Sequence, residues 1–342
     1  MNGKLINKIY WQLQDEISRE IYKNRLMYTI TGDKKYVFEN VKLMNGRREF
    51  LDQLDRVSQD GEMVIFGAGF WGKDMYSAFS GYPWKYFIDN DPHSDSYDGI
   101  PILRVEDFIR DYHGEYIFIS SRIYHTPMYQ QLIDQNIPEE KIIDVGGLLD
   151  DLSKKQYFDL KYLPRFRNGE VFVDAGSLDG MTSVYFKEWC KEIPAMVYAF
   201  EPDEKNQKKC YENLMQRGIS FQIIPKGVWS TETTLTFCSN SNGTSKVAES
   251  GNVKIEVTTL DSALQGIGPT FIKMDIEGSE LQALKGAEKT IKIFKPKLAI
   301  SIYHKPEDIW ELPEIILKYN PDYKLYLRHY SFTASETVLY AI

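Results

Sequence analysis

Twice in this 342-residue chain an apolar strand runs straight into a glycine-bearing turn and then a helix. The first instance is MVIFGAGFWG at 63–72, the second VFVDAGSLDGMTS at 171–183. A run of apolar residues without polar alternation is buried on both faces, the mark of a parallel sheet under covering helices. Each run opens further alternation: KYFIDND, GIPIL, VEDFIRDY, YIFIS, TPMYQQLIDQ and KIIDV after the first; VYAFEPDEKN, FQIIPKGVW, FIKMDIEGSE and KLAISIYH, then YKLYLRH and ETVLYAI, after the second. Such alternation predicts parallel α/β sheets. The expected fold is therefore α/β with two Rossmann-like domains. Helical spacing in IYWQLQDEI and REFLDQLDRV predicts a helical segment over 1–58. The small Rossmann-like domain then spans 59–150, a charged linker 151–168 and the second domain 169–342. TLTFC and VKIEVTTL read as an extra small β element before the fourth main strand of the second domain.

Bulk properties exclude several classes. The net charge of −8 argues against a strongly basic surface, and no nucleic-acid partner is expected. Three cysteines, Cys190, Cys210 and Cys238, form no C-x-x-C pair, so neither a zinc site nor a disulfide framework is indicated. No stretch approaches ~18 apolar residues, so no membrane span is expected. The mixed-charge start MNGKLINKIYWQLQDEISRE is no signal peptide, and a cytoplasmic protein is expected.

The glycines of the first turn, Gly67, Gly69 and Gly72, have dinucleotide-fingerprint spacing, and Asp89 closes the next strand where a ribose-binding acid would lie. No acid/base set follows, so a nucleotide site and a ligand-free adaptor both stand as readings. The stretch VIFGAGFWG…FIDND…GIPIL resembles the small Rossmann-like domains fused to sugar-modifying enzymes.

The second turn carries different chemistry. Asp174 ends the strand, and Gly176, Asp179 and Gly180 follow. Two acids where a diphosphate would sit disfavour NAD and favour a cationic ligand such as S-adenosylmethionine. The next strand ends in Glu201, a carboxylate able to accept both hydroxyls of a ribose. Asp275 ends the fourth strand and His304 the fifth, at the edge where methyl transfer would occur, and both are candidate acid/base residues. Glu277 and Glu280 read first as acids favoured at a helix start. Asp275, Glu277 and His304 have ligand types that suit several divalent ions, but nothing else completes a shell, and no metal is expected. The polar segment 238–252, CSNSNGTSKVAESGN, is a candidate active-site loop. Arg328, His329 and Tyr330, with Tyr303, Trp310 and Lys305, are a candidate wall for a polar acceptor.

VDAGSLDG, FEPDEKN, TTLDSAL, FIKMDIEGSELQALKGA and KLAISIYHKPEDIW stand in an order that resembles the FkbM-type family of S-adenosylmethionine-dependent methyltransferases. The resemblance runs from about 169 to the end. It implies a seven-stranded sheet with the cofactor across the carboxyl ends of its first strands. Asp174, Gly176, Asp179 and Gly180 would line the methionine end, Glu201 would hold the ribose, and Lys226 and Gly227 would lie on the adenine side. Many family members carry Asn or another small residue where Leu178 stands. The activity implied is O-methylation of a sugar hydroxyl on a small-molecule or glycan acceptor. A bifunctional NAD-dependent oxidoreductase–methyltransferase and a non-catalytic nucleotide-binding scaffold are the competing readings.

Overall fold

The computed structural model describes residues 3–44, 48–238, 246–247 and 253–342. The chain forms two compact units: Met1–Leu26, Lys155–Arg328 and Glu336–Ile342 make the larger, Met27–Lys154 and His329–Ser335 the smaller.

The smaller unit holds β1 (Met63–Phe66), β2 (Trp84–Asp89), β3 (Ser96–Tyr97), β4 (Ile100–Arg104), β5 (Tyr116–Ile119) and β6 (Ile142–Asp144), in the order β3-β4-β2-β1-β5-β6. All neighbours run parallel except β3 and β4. Every residue of β1 is buried, as its unbroken apolar sequence requires. Val64, Phe66, Ile88, Phe108, Ile117 and Leu132 pack into one core.

The larger unit is built on β7 (Glu170–Ala175), β8 (Ala195–Phe200) and β9 (Ser220–Ile224). A small sheet follows, from β10 (Gly227–Val228), β11 (Thr233–Cys238), β12 (Lys246–Val247) and β13 (Val253–Thr258). The main sheet resumes with β14 (Phe271–Met274), β15 (Lys297–Ser301), β16 (Leu325–His329) and β17 (Thr337–Ala341). Its seven strands lie in the order β16-β17-β15-β14-β7-β8-β9, with β17 antiparallel to β15 and parallel pairs from β15 through β9. The order reverses between β7 and β14. In open α/β sheets ligands gather outside the strand carboxyl ends at such a switch point. Asp174 and Asp275 stand at that end.

The segment 151–168 carries buried side chains. The helix Val145–Lys155 occupies its start, and Gln156, Tyr157, Phe158, Leu160 and Leu163 are buried. Phe158 lies against Phe172, Phe186 and Phe271, which draws this charged stretch into the core of the larger unit. The candidate loop 238–252 falls, for the most part, outside the described residues.

Candidate active site at the carboxyl edge of the seven-stranded sheet

The turn after β7 is shaped by close backbone approach. Gly176 has φ +77°, and a Cβ there would lie 2.1 Å from the Asp275 carbonyl oxygen. The switch-point strands therefore meet backbone to backbone, and only glycine fits. Gly180, φ +79°, starts the helix Met181–Cys190, and a Cβ on it would sit 2.8 Å from Cys210 Sγ. Asp179, half-buried, accepts from the Met181 amide at 3.1 Å, so its carboxylate is held at the helix start. Leu178 between them takes φ +50° with 48% of its surface exposed.

Asp174 is wholly buried and faces Lys273, its direct neighbour in the β7–β14 register. Lys273 Nζ lies 3.0 Å from Asp174 Oδ1 and donates to the Gly176 carbonyl at 2.7 Å. Ser183 Oγ donates to Asp174 Oδ2 at 2.7 Å. Burial pulls the Lys273 ammonium down, but the Asp174 and Asp275 charges outweigh it and hold the group above its ordinary range. Asp174 thus fastens the turn from beneath.

Glu201 is buried at the end of β8. Its two oxygens accept from the Leu178 and Asp203 amides, each at 2.9 Å. Burial pushes its carboxyl up despite those bonds. Oε1 also accepts from Asn206 Nδ2 at 3.5 Å, while Oε2 retains a further lone pair, which suits a ligand hydroxyl. Asp179 and Glu201 leave the turn acidic, while the Lys273 ammonium points inward to Asp174. This donor set fits the cationic S-adenosylmethionine and disfavours a diphosphate.

At the end of β14, Asp275 accepts from Tyr157 OH at 2.9 Å and from Tyr303 OH at 3.2 Å. Burial pushes its carboxyl up, but the Lys273 and His304 charges and the tyrosine bond more than cancel that and leave it below the ordinary range. Tyr303 OH also reaches Glu336 Oε1 at 3.3 Å, and Gln156 donates to the other Glu336 oxygen. Burial, then the neighbouring Asp275 charge, pushes the Glu336 carboxyl up to about 7.

His304 follows β15 and stands among acids. Its side chain is 5% exposed, with Nε2 3.5 Å from Asp275 and 3.6 Å from Glu277, and Nδ1 3.1 Å from Glu280. Burial opposes the charged ring, but the three carboxylates prevail and raise it to about 9. These contacts favour the charged imidazolium over the neutral ring. Glu280 begins the helix Glu280–Lys285, whereas Glu277 lies before it at φ +56°. Asp308, at the start of the helix Asp308–Tyr319, feels the same acid excess: burial first, then Glu280, pushes it up to about 7.

The structure thus brings Asp174, Gly176, Asp179, Gly180, Glu201, Asp275 and His304 to one edge. Lys226 follows β9 and pairs with Glu256 at 3.2 Å, and the Gly227 backbone joins the small sheet. Arg328 is buried and paired with Asp15 at 2.6 Å, so it is no acceptor wall. In the smaller unit, Gly67, Gly69, Gly72 and Asp89 line one cavity of about 510 Å³ at the β1–β5 switch point. Asp89 there accepts from the Ala68 and Asp91 amides at 2.7 and 2.9 Å. Sequence reasoning missed Tyr157 and Glu336. The aromatic pair Tyr157-Phe158 inside a charged run was the available signal for the first; Glu336, just before β17, has none.

Residues 174–332 match the family model described as the methyltransferase FkbM domain. The crystal structure of methyltransferase FkbM from Methylobacillus flagellatus KT is similar, with TM-score 0.51 and 19% identity over 93% of this chain and 100% of that chain. More distant is Aeropyrum pernix fibrillarin with natively bound S-adenosyl-L-methionine, at TM-score 0.37 and 10% identity over 56% of this chain and 74% of that one. M. jannaschii TYW2 in complex with AdoMet has TM-score 0.32 and 16% identity over 57% and 74%. No curated protein matches the sequence. The matched region, residues 174–332, is similar to the methyltransferase FkbM domain and covers under half of this chain.

Proposed function

We propose that the protein is an S-adenosylmethionine-dependent O-methyltransferase whose acceptor is a sugar hydroxyl on a glycan, glycolipid or nucleotide-sugar precursor. The observation that carries this reading is the hydroxyl–carboxylate chain Tyr157–Asp275–Tyr303–Glu336 beside the acidic turn. When bound, the cofactor supplies an electrophilic methyl group on a sulfonium. Glu201 takes a ribose hydroxyl through the open lone pair of Oε2, and Asp179 favours the cationic end. A sugar hydroxyl becomes a competent nucleophile only as its proton is accepted. Asp275 accepts it, and the shared Tyr303 hydroxyl relays it to Glu336, whose carboxyl near 7 suits a proton acceptor at neutral pH. His304 acts through its charge, holding Asp275 in place. Alignment of the two reactants supplies much of the remaining rate.

Calorimetric titration of S-adenosylmethionine into wild type and Glu201→Ala tests the cofactor half. Wild type binds, and the variant binds at least tenfold more weakly with an unchanged circular dichroism spectrum. Absence of heat with wild type, or equal affinities, overturns it. Transfer of labelled methyl to a panel of sugar acceptors tests the other half.

A second reading is favoured by the cavity over Gly67, Gly69, Gly72 and Asp89: a nicotinamide dinucleotide bound in the smaller unit. Quenching of NADH fluorescence that Gly69→Trp abolishes supports it; no quenching by the whole protein removes it.

A further inference from the structure

The acids around His304 have more structure than a helix start requires. Asp275, Glu280 and His304 each offer a ligand atom within 4.8 Å of the others. Glu280 is wholly buried, and although its Oε1 accepts from the Ile276 amide at 2.8 Å, its Oε2 makes no hydrogen bond. The two His304 ring nitrogens, in a side chain 5% exposed, likewise make no hydrogen bond although carboxylate oxygens stand 3.1–3.6 Å away. A buried carboxylate oxygen without a hydrogen bond is costly, and a cation would relieve it. Lys273 offers no relief, because its ammonium faces Asp174 and the turn carbonyls.

We propose that Asp275, Glu280 and His304 form a binding site for a first-row divalent cation, Mn²⁺ or Zn²⁺, at the carboxyl end of β14. Two carboxylates and one imidazole are a donor set that such ions accept, whereas Mg²⁺ and Ca²⁺ prefer oxygen alone. Glu277, 3.6 Å from Nε2, stands beside the set and adds negative charge. Coordination takes the neutral ring, so the cation displaces the imidazole proton and takes over its charge. The three residues come from the end of a central strand, the first turn of the helix Glu280–Lys285, and the residues after β15. In the methyl-transfer reading, on which only its role rests, the ion holds an acceptor oxygen and eases loss of its proton.

The test uses the whole protein, dialysed against chelator, and the metal alone. Mn²⁺ titrated in and followed by the loss of the free-ion electron paramagnetic resonance signal reports one site. Glu280→Gln and His304→Gln each weaken it at least tenfold, and Mg²⁺ competes at least tenfold less well than Zn²⁺. In wild type, substoichiometric Mn²⁺ broadens the His304 imidazole resonance before those of His93 and His113, which needs no variant to fold. No binding by wild type, unchanged binding in both variants, or broadening that spares His304 each overturns the site. Because no cofactor or acceptor is present, failure here is separable from failure of methyl transfer.

Discussion

The Asp174–Lys273 pair makes the sharpest quantitative test of how this edge is held. Asp174 is 0% exposed and the Lys273 side chain 3%, at 3.0 Å in direct cross-strand register. Removing one partner of such a pair leaves the other as an uncompensated buried charge, at a cost of about 3–5 kcal/mol. Lys273→Met strands the carboxylate with only Ser183 and belongs at the upper end. Asp174→Asn leaves the ammonium its contacts with the Gly176 and Ala175 carbonyls and belongs at the lower end. In the double variant neither charge remains, and the loss is that of one or two hydrogen bonds, about 1–3 kcal/mol. The singles therefore do not add, and a double-mutant cycle returns a coupling of at least about 3 kcal/mol. For a unit in this size class each kcal/mol moves the melting point by about 2–4 °C, so each single drops it by about 6–20 °C. Scanning calorimetry of the four proteins measures this directly. Singles within about 1 kcal/mol of wild type, or a double equal to their sum, refute the argument that these groups stabilise each other.

Three further outcomes follow from the same geometry. The Glu336 carboxyl is raised from 4.5 to about 7 by the fold, so the folded state favours its protonated form; the stability this gives is complete below pH 4.5 and is lost as pH rises to about 7. Glu336→Gln, compared with wild type by urea unfolding at pH 5 and 8, gains on it by about 2–3 kcal/mol at the higher pH only, and methyl transfer loses its rising limb near pH 7. Gly176→Ala places a methyl 2.1 Å from the Asp275 carbonyl at φ +77°, adding a clash to ~1–2 kcal/mol of left-handed strain; the denaturation midpoint falls, and calorimetry finds cofactor affinity down at least tenfold. Leu178→Asn, at φ +50° on an exposed position, relieves left-handed strain and raises stability by about 0.5–1 kcal/mol, read from the urea midpoint.

What was legible in the sequence was local. Strand runs, glycine turns and strand-end acids depend on period and turn chemistry, and they located Asp174, Gly176, Glu201 and Asp275 at one edge. Leu178 takes a positive φ, a conformation that a short polar side chain adopts with less strain than Leu. What was hidden depended on register and on distant segments. Lys273 meets Asp174 only because β7 and β14 pair in one particular alignment. Tyr157 enters the site because Phe158 beside it is drawn into an aromatic core. The charge state of His304 depends on three carboxylates carried by the β14–helix connection, which no pattern around His304 itself announces.

The two glycine turns begin alike and diverge through charge. In the smaller unit Asp89 closes onto the Ala68 amide and so braces its own turn, above a cavity lined by glycines and aromatic rings. In the larger unit the corresponding strand end is Asp174, whose countercharge Lys273 is consumed internally, so the turn keeps the half-buried Asp179, and the neighbouring strand ends keep Glu201 and Asp275. A fold that spends its nearby lysine beneath the turn keeps the ligand side negative, and a negative edge selects for cations. One acidic edge therefore underlies both proposals: a sulfonium cofactor rather than a diphosphate at the β7 turn, and a divalent ion beside Asp275, Glu280 and His304. Charge reversal at Asp179 and Glu201 to lysine should accordingly weaken the cofactor while leaving the Mn²⁺ site within a few-fold, since neither residue supplies a ligand to it.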